Sequence, residues 1–270
     1  MTTTGLPLPT GWAVEVTSRR RPAGQVLDVL RSEWIKLTTV RANRAILAVG
    51  TVIGLLTSWA TAVLVTDEVL TASEVFIYPT ALTAVLAAIA GVLLFSAEAQ
   101  HGTLAAAVAA QPARWPIVAA KSVVAAGYGL GLGVVGLATG FVGALVGGIE
   151  VGDTSGVIST MLWALLYTAG SGLLGLGIGM IVRHSAGAVS GVLVWWLVVE
   201  SLVIQFAPAE VVRFLPFDAG FRTLGIESDF DSPEIVASAL PHSLHALIFG
   251  GYAVAAVAIG AVLLHRRDVD

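Results

Sequence analysis

Residues 98–121 read EAQHGTLAAAVAAQPARWPIVAAK. On either side the chain is so apolar that water cannot be its only solvent. The polar interruption, with Glu98, His101, Arg114 and Lys121, divides one long hydrophobic region into two lengths that can each cross a bilayer. The surrounding composition agrees. Of 270 residues 56% are hydrophobic and 12% charged, with mean hydropathy +0.88, against about 25% charged in ordinary soluble domains. There is no cysteine, which excludes disulfides, thiolate metal sites and a cysteine nucleophile.

A membrane helix needs about 20 mostly apolar residues at 1.5 Å each. Six stretches qualify: Ala45 to Val65, Ile77 to Ala97, Ser122 to Val146, Thr160 to Val182, Ala186 to Phe206 and Leu244 to Leu264. None shows the alternation of a membrane β-barrel. The expected fold class is all-α, a polytopic membrane protein with six transmembrane helices spanning residues 45–265. Residues 1–23, rich in Thr, Gly and Pro with arginines after a weakly apolar start, read as a cytoplasmic tail rather than a signal peptide. Residues 266–270 read as a second tail.

Charge sets the orientation. Arg19, Arg20, Arg21, Arg31, Lys36, Arg41, Arg44, Arg114, Lys121, Arg183, Arg266 and Arg267 fall on one side of the six spans, leaving only Arg213 and Arg222 of the 14 basic residues on the other. The opposite loops carry Asp67, Glu68, Glu74, Glu150 and Asp153, and the long loop 207–243 is acidic. Basic flanks collect in the cytoplasm, so both termini are expected inside.

Residues 24–44 contain an apolar stripe, Leu27, Leu30, Trp34 and Leu37, at helical spacing. Asp28, Arg31, Glu33 and Lys36 lie largely off it. This pattern predicts an amphipathic helix in the headgroup layer, with Arg31, Glu33, Trp34 and Lys36 as its marker residues. In the loop 207–243, Val211 to Leu215 and Ile235 to Leu240 are apolar but too short to cross; they read either as re-entrant or surface helices capping the outer mouth or as parts of an ordinary acidic surface loop. Glu200, in WWLVVESLVIQF, is the one clear acid inside a span and a candidate for a transport path.

Several motifs dissolve on inspection. Gly131, Gly133, Gly136 and Gly170, Gly172, Gly175 match G-x-G-x-x-G, but inside apolar helices rather than a strand–turn–helix unit. The same glycines suit helix packing. Gly127/Gly131, Gly136/Gly140, Gly143/Gly147, Gly175/Gly179 and Gly187/Gly191 are all G-x-x-x-G pairs. His242 and His245 make H-x-x-H, short of the three or four ligands of a zinc site, and no metal is expected. No phosphate loop, catalytic triad or nucleic-acid signature occurs, so no catalytic residue and no nucleic-acid partner are assigned.

Within 98–121, an alanine-rich run after Thr103 predicts a short helix through Ala109, ended at Gln111-Pro112. Glu98, Gly102, Thr103, Leu104, then Pro112, Arg114 and Ala119, Ala120, Lys121, form E-x-x-x-G-T-L, P-x-R and A-A-K. This resembles the first cytoplasmic loop of ATP-binding cassette (ABC) type 2 transporter permeases. The run R-S-E-W-I-K-L, Arg31 to Leu37, followed by T-x-x-R, resembles their pre-span segment, particularly in a bacterial subgroup. The resemblance covers nearly the whole chain in architecture and about forty residues in motif.

It implies a permease subunit of an exporter in the bacterial cytoplasmic (inner) membrane, paired with a second permease subunit as homodimer or heterodimer and with a cytoplasmic ABC ATPase. ATP and Mg would sit on that ATPase and no cofactor on this chain. Segment 98–121 would carry the coupling helix, with Glu98, His101, Gly102, Thr103, Leu104, Ala106, Arg114 and Lys121 facing or bracing the ATPase. An ion-driven secondary transporter and a membrane-embedded enzyme are the competing classes.

Overall fold

The computed structural model describes residues 30–36, 39–65, 69–103, 114–226 and 232–266. Every regular element among them is helical. Six helices are long and apolar enough to cross a membrane: Arg41–Leu64, Ala72–Gln100, Trp115–Val146, Val157–Val182, Ser185–Phe206 and His242–Arg266, here spans 1 to 6. The protein is an all-α, multi-pass membrane protein. Its spans run up and down, so that one end of the bundle gathers the basic flanks and the other the acidic loops.

The spans are longer than hydropathy suggested, and most of the added length is on the basic end. Span 2 continues to Gln100 and the helix of span 3 begins at Trp115. Glu98 and Lys121 are therefore helical residues of the span ends, not members of a connecting loop. Hydropathy takes a charge as the end of the hydrocarbon. A helix has no such rule, and these two charges neutralise one another. Gly102, at φ +71°, stops span 2 in the left-handed conformation that glycine adopts without strain. The alanine-rich run with Leu104 and Ala106 lies in 104–113, outside the described residues, as do Leu27 and Leu37 of the apolar stripe and Asp28 off it.

Spans 2, 3 and 4 form a dry interior made possible by small residues. A methyl group added at Gly175 of span 4 would fall on the Ala88 carbonyl oxygen of span 2, and one at Gly91 on the Gly172 carbonyl oxygen. One at Gly129 of span 3 would fall on the Thr168 carbonyl oxygen of span 4. Backbones this close gain van der Waals contact where lipid supplies no hydrophobic drive. Span 1 docks on span 3 in the same way, Gly143 lying against the Leu55 carbonyl oxygen, and Gly177 of span 4 lies against Ala256 of span 6.

Of the five G-x-x-x-G pairs, 136/140, 143/147 and 175/179 sit in such contacts. Gly127, Gly131 and Gly191 face open space, and Gly187 meets only its own turn. The working pair on that part of span 3 is Gly129/Gly133, two residues further on and against Thr168 of span 4. Burial follows position in the bundle: over their most apolar lengths spans 2 and 4 are 61% and 56% buried, while spans 1 and 5 are 17% buried.

At the acidic end, Thr71 and Glu74 cap the short helix Ala72–Val75 reciprocally. The loop after span 3 docks there through Ala72 N–H to the Glu150 carbonyl (2.8 Å) and Ser73 Oγ to the Val151 carbonyl (2.7 Å). The loop after span 5 folds into helices Ala209–Val212, Pro216–Arg222 and Pro233–Ala237. Its two apolar pieces meet one another: Val212, Leu215 and Ile235 are buried together against Val203 and Ile204 of span 5. Pro216 and Pro233 start helices there, each at a first-turn position where a missing N–H costs nothing.

Candidate functional site: a charge cluster at the basic end

The pre-span residues 30–36 are helical, and the face they bury is not the apolar one. Glu33 is 3% exposed, while Trp34 and Ile35 are each about half exposed. Periodicity had placed Glu33 off the buried stripe. The structure turns it inward because its partner is inside. Lys121, 1% exposed, places its Nζ 2.8 Å from Glu33 Oε2, 2.8 Å from Glu98 Oε2 and 3.0 Å from the Leu94 carbonyl oxygen. The ammonium donates to Glu33 Oε2 and to the Leu94 carbonyl, while its contact with Glu98 Oε2 is an attraction of charges.

Lys36 closes the ring from the rim, with Nζ 2.8 Å from Glu33 Oε1 and 2.8 Å from Glu98 Oε1. Two carboxylates and two ammonium groups thus alternate around one cluster, with no net charge. Burial by itself would push the Lys36 ammonium down. Hydrogen bonds to Glu33 and Glu98, with their charges, outweigh it and hold Lys36 above its ordinary value.

Three sequence elements meet in this cluster: the pre-span helix, the end of span 2 and the start of span 3. Two further ties extend it. Gln100 Oε1 accepts from Ser185 N–H at 3.2 Å, while Ser96 and Ser185 hydroxyls lie 2.9 Å apart. The last turn of span 2 thereby caps the first residue of span 5, taking one of the donors a helix start leaves unpaired. Arg114, just before span 3, donates from its guanidinium to the carbonyl oxygens of Leu264 and His265 (3.4 Å to the latter). A cation on the final carbonyls of span 6 complements the negative end of its helix dipole. Both arms of segment 98–121 are therefore anchored, and through them spans 2, 3, 5 and 6 and the pre-span helix share one platform.

The remaining expected residues stand apart from the cluster. His101 is exposed and its Nδ1 contacts only the Ala97 carbonyl of its own turn (2.7 Å). Exposed Thr103 reaches back to the Glu98 carbonyl at 3.4 Å, and Gly102 has open space around it. Arg31 is exposed on the pre-span helix. Gln100, Ser185 and the Leu94 carbonyl were not singled out from sequence. Nothing local marks them, since a glutamine at a helix end and a serine after a turn are ordinary residues there.

Glu200 lies at the other end of the molecule. Trp195 to Glu200 form a π-helical turn in span 5, whose wider winding brings residues five apart toward one side. Trp195 Nε1 donates to Glu200 Oε1 at 2.8 Å. Phe217 N–H donates to the same oxygen at 2.9 Å, and Asp218 N–H to Oε2 at 2.8 Å. The carboxylate, 3% exposed, so caps the helix Pro216–Arg222 across the fold and fastens it to span 5. His242 and His245 serve separately. His242 donates to the Thr223 carbonyl (3.1 Å) beside Trp163, and His245 Nε2 accepts from Leu240 N–H (3.2 Å).

No family model matches this chain, and no curated protein matches it.

Proposed function

We propose that this chain is the membrane-spanning permease subunit of an ABC transporter of the exporter kind. It sits in a bacterial inner membrane with both termini in the cytoplasm, beside a second permease subunit and a separate cytoplasmic ATPase. The observation that carries the reading is the platform at the basic end. The two arms of the segment resembling the coupling loop, which are the ends of spans 2 and 3, are tied to the pre-span helix, to span 5 and to span 6.

A force applied to residues 98–121 by a partner has a direct route into the bundle. Glu98 and Lys121 pass it to the pre-span helix, Gln100 to the start of span 5 and Arg114 to the end of span 6. Alternating charges suit this task. They hold the elements in one register, yet each ion pair can shift onto a neighbouring partner without stranding a charge in hydrocarbon. ATP binding and hydrolysis belong to the partner in this reading, and the permease supplies the path.

The test is to tag the chain, purify it gently from its native membrane, identify what accompanies it and assay ATP hydrolysis. A stoichiometric ATPase with a phosphate-loop motif is expected. Its absence, together with absence of hydrolysis, would overturn the proposal. Orientation is tested separately in this cysteine-free chain. A single cysteine at Ser155 should react with an impermeant reagent added outside, and one at His101 should not.

A further inference from the structure

A cavity of about 830 Å³ lies at the acidic end, between the outer half of span 5 and the helices of the following loop. Small-molecule sites typically enclose about 300–1,000 Å³. Tyr167, Trp196, Phe217 and Phe221 supply aromatic walls, and Glu200, Asp218 and Glu234 supply carboxylates. Among the described residues neither lysine nor arginine lines it.

Among the described residues, acidic groups outnumber basic ones around this space. Asp218 is balanced by Arg222, whose Nε lies 2.7 Å from Asp218 Oδ2. Glu200 is held by three neutral N–H donors. Those satisfy its hydrogen bonding without supplying a counter-charge. Glu234 is exposed at the rim, in the first turn of Pro233–Ala237. A hydrophobic anion entering the cavity would meet its own sign. A hydrophobic cation would meet the acidic side chains of Glu200 and Glu234, neither paired with a base among the described residues, and the negative faces of aromatic rings, which attract cations more strongly once water is displaced.

We propose that this cavity is a binding site for hydrophobic organic cations. As a statement about cargo it rests on the transport reading; as a statement about binding it does not, and binding is what the experiment measures. Two probes of the same shape and opposite charge, tetraphenylphosphonium and tetraphenylborate, are titrated into the purified chain in nanodiscs of uncharged lipid. Heat and tryptophan fluorescence serve as readouts.

Saturable phosphonium binding is expected, at least about tenfold tighter than borate, with an offset of 1.4 kcal/mol per tenfold. Ser201→Trp, which fills the cavity from an exposed position on span 5, should abolish it while the protein melts as before. Glu234→Gln, at the rim, should weaken it about two- to threefold, in keeping with an exposed charge. Glu200→Gln should weaken it more.

Absence of saturable binding, equal affinity for the two ions, or phosphonium binding unchanged by both Ser201→Trp and Glu234→Gln would overturn the proposal. Neither nucleotide nor partner is present in this measurement. Failure here therefore leaves the ABC reading standing, and failure to recover an ATPase leaves the cation site standing.

Discussion

Glu33 and Glu200 are equally buried, and they are stabilised in opposite ways. Glu33, at the basic end, is met by two lysines, and each of those lysines is shared with Glu98. Glu200, at the acidic end, is met by an indole and two backbone amides and by no cation. The first arrangement is a closed circuit of charge, in which every member depends on the sign of the others. The second depends on geometry, on a helix start held where a carboxylate can cap it. The first holds several elements together at one end, and the second fastens a single helix at the other.

The sharpest way to break this comparison is Lys121→Ala. It leaves Glu33 and Glu98 facing one another in a buried place, and removing one partner of a buried pair costs about 3–5 kcal/mol. A large fall in melting temperature in detergent is expected. The combined change Glu33→Gln, Glu98→Gln, Lys121→Met should recover much of the loss, because the one charge it leaves unpaired is that of half-exposed Lys36, which water can solvate. Unchanged melting of the single variant would dismiss the cluster as a structural element.

Next in size is the dry interior between the two ends. Gly175→Leu should lose about 1–3 kcal/mol or more by overpacking against span 2. Gly131→Ala, which faces open space, should gain about 0.5–1 kcal/mol of helix stability. Equal melting shifts for the two would remove the distinction between packed and open glycines.

Glu200→Gln comes third. An amide cannot accept from all three donors, and leaving a buried donor unsatisfied costs about 1–3 kcal/mol. The loss should be local. Hydrogen exchange at the Phe217 and Asp218 amides should quicken while the basic end stays protected. Exchange that quickens at both ends alike would mean that the carboxylate supports the whole bundle rather than one helix.

The smallest effect belongs to Lys36→Ala, about 0–1 kcal/mol, because Lys36 is half exposed and screened. Its raised pKa makes the sign plain. The stabilisation is fully present below the ordinary lysine value and fades only as pH rises through the higher folded value. Melting of the parent and of Lys36→Ala should therefore differ by a constant amount across neutral pH. A difference that grew or vanished between mildly acidic and mildly alkaline buffers would assign the pairing to another titrating group.

Much of this was legible in the chain. Six apolar lengths, the asymmetry of lysine and arginine, and the isolated acid in span 5 are properties of composition, and solvent preference acts on composition directly. A segment of about 20 apolar residues belongs in hydrocarbon whatever it later packs against. Pairing was not legible. Glu98 and Lys121 looked like the two edges of a loop, and Glu33 like a residue of the solvated face. Whether a charge ends a helix or continues it depends on a counter-charge brought in from elsewhere in the chain. The glycine pairs carried the same ambiguity. The motif is identical at 127/131 and 129/133, and only the rotation of span 3 against span 4 selects the second.

By itself, then, the sequence determined that the chain is helical, that it crosses a membrane six times, and which loops share a side. Those follow from local hydropathy and charge, which each residue carries with it. Tertiary structure alone decided that two glutamates and two lysines close into one neutral cluster, that Glu200 fastens a helix found 17 residues onward, and that an acidic aromatic cavity opens beside it. Each of these is a meeting of residues far apart in the chain, and the free energy of such a meeting depends on distance and burial, which no single residue carries.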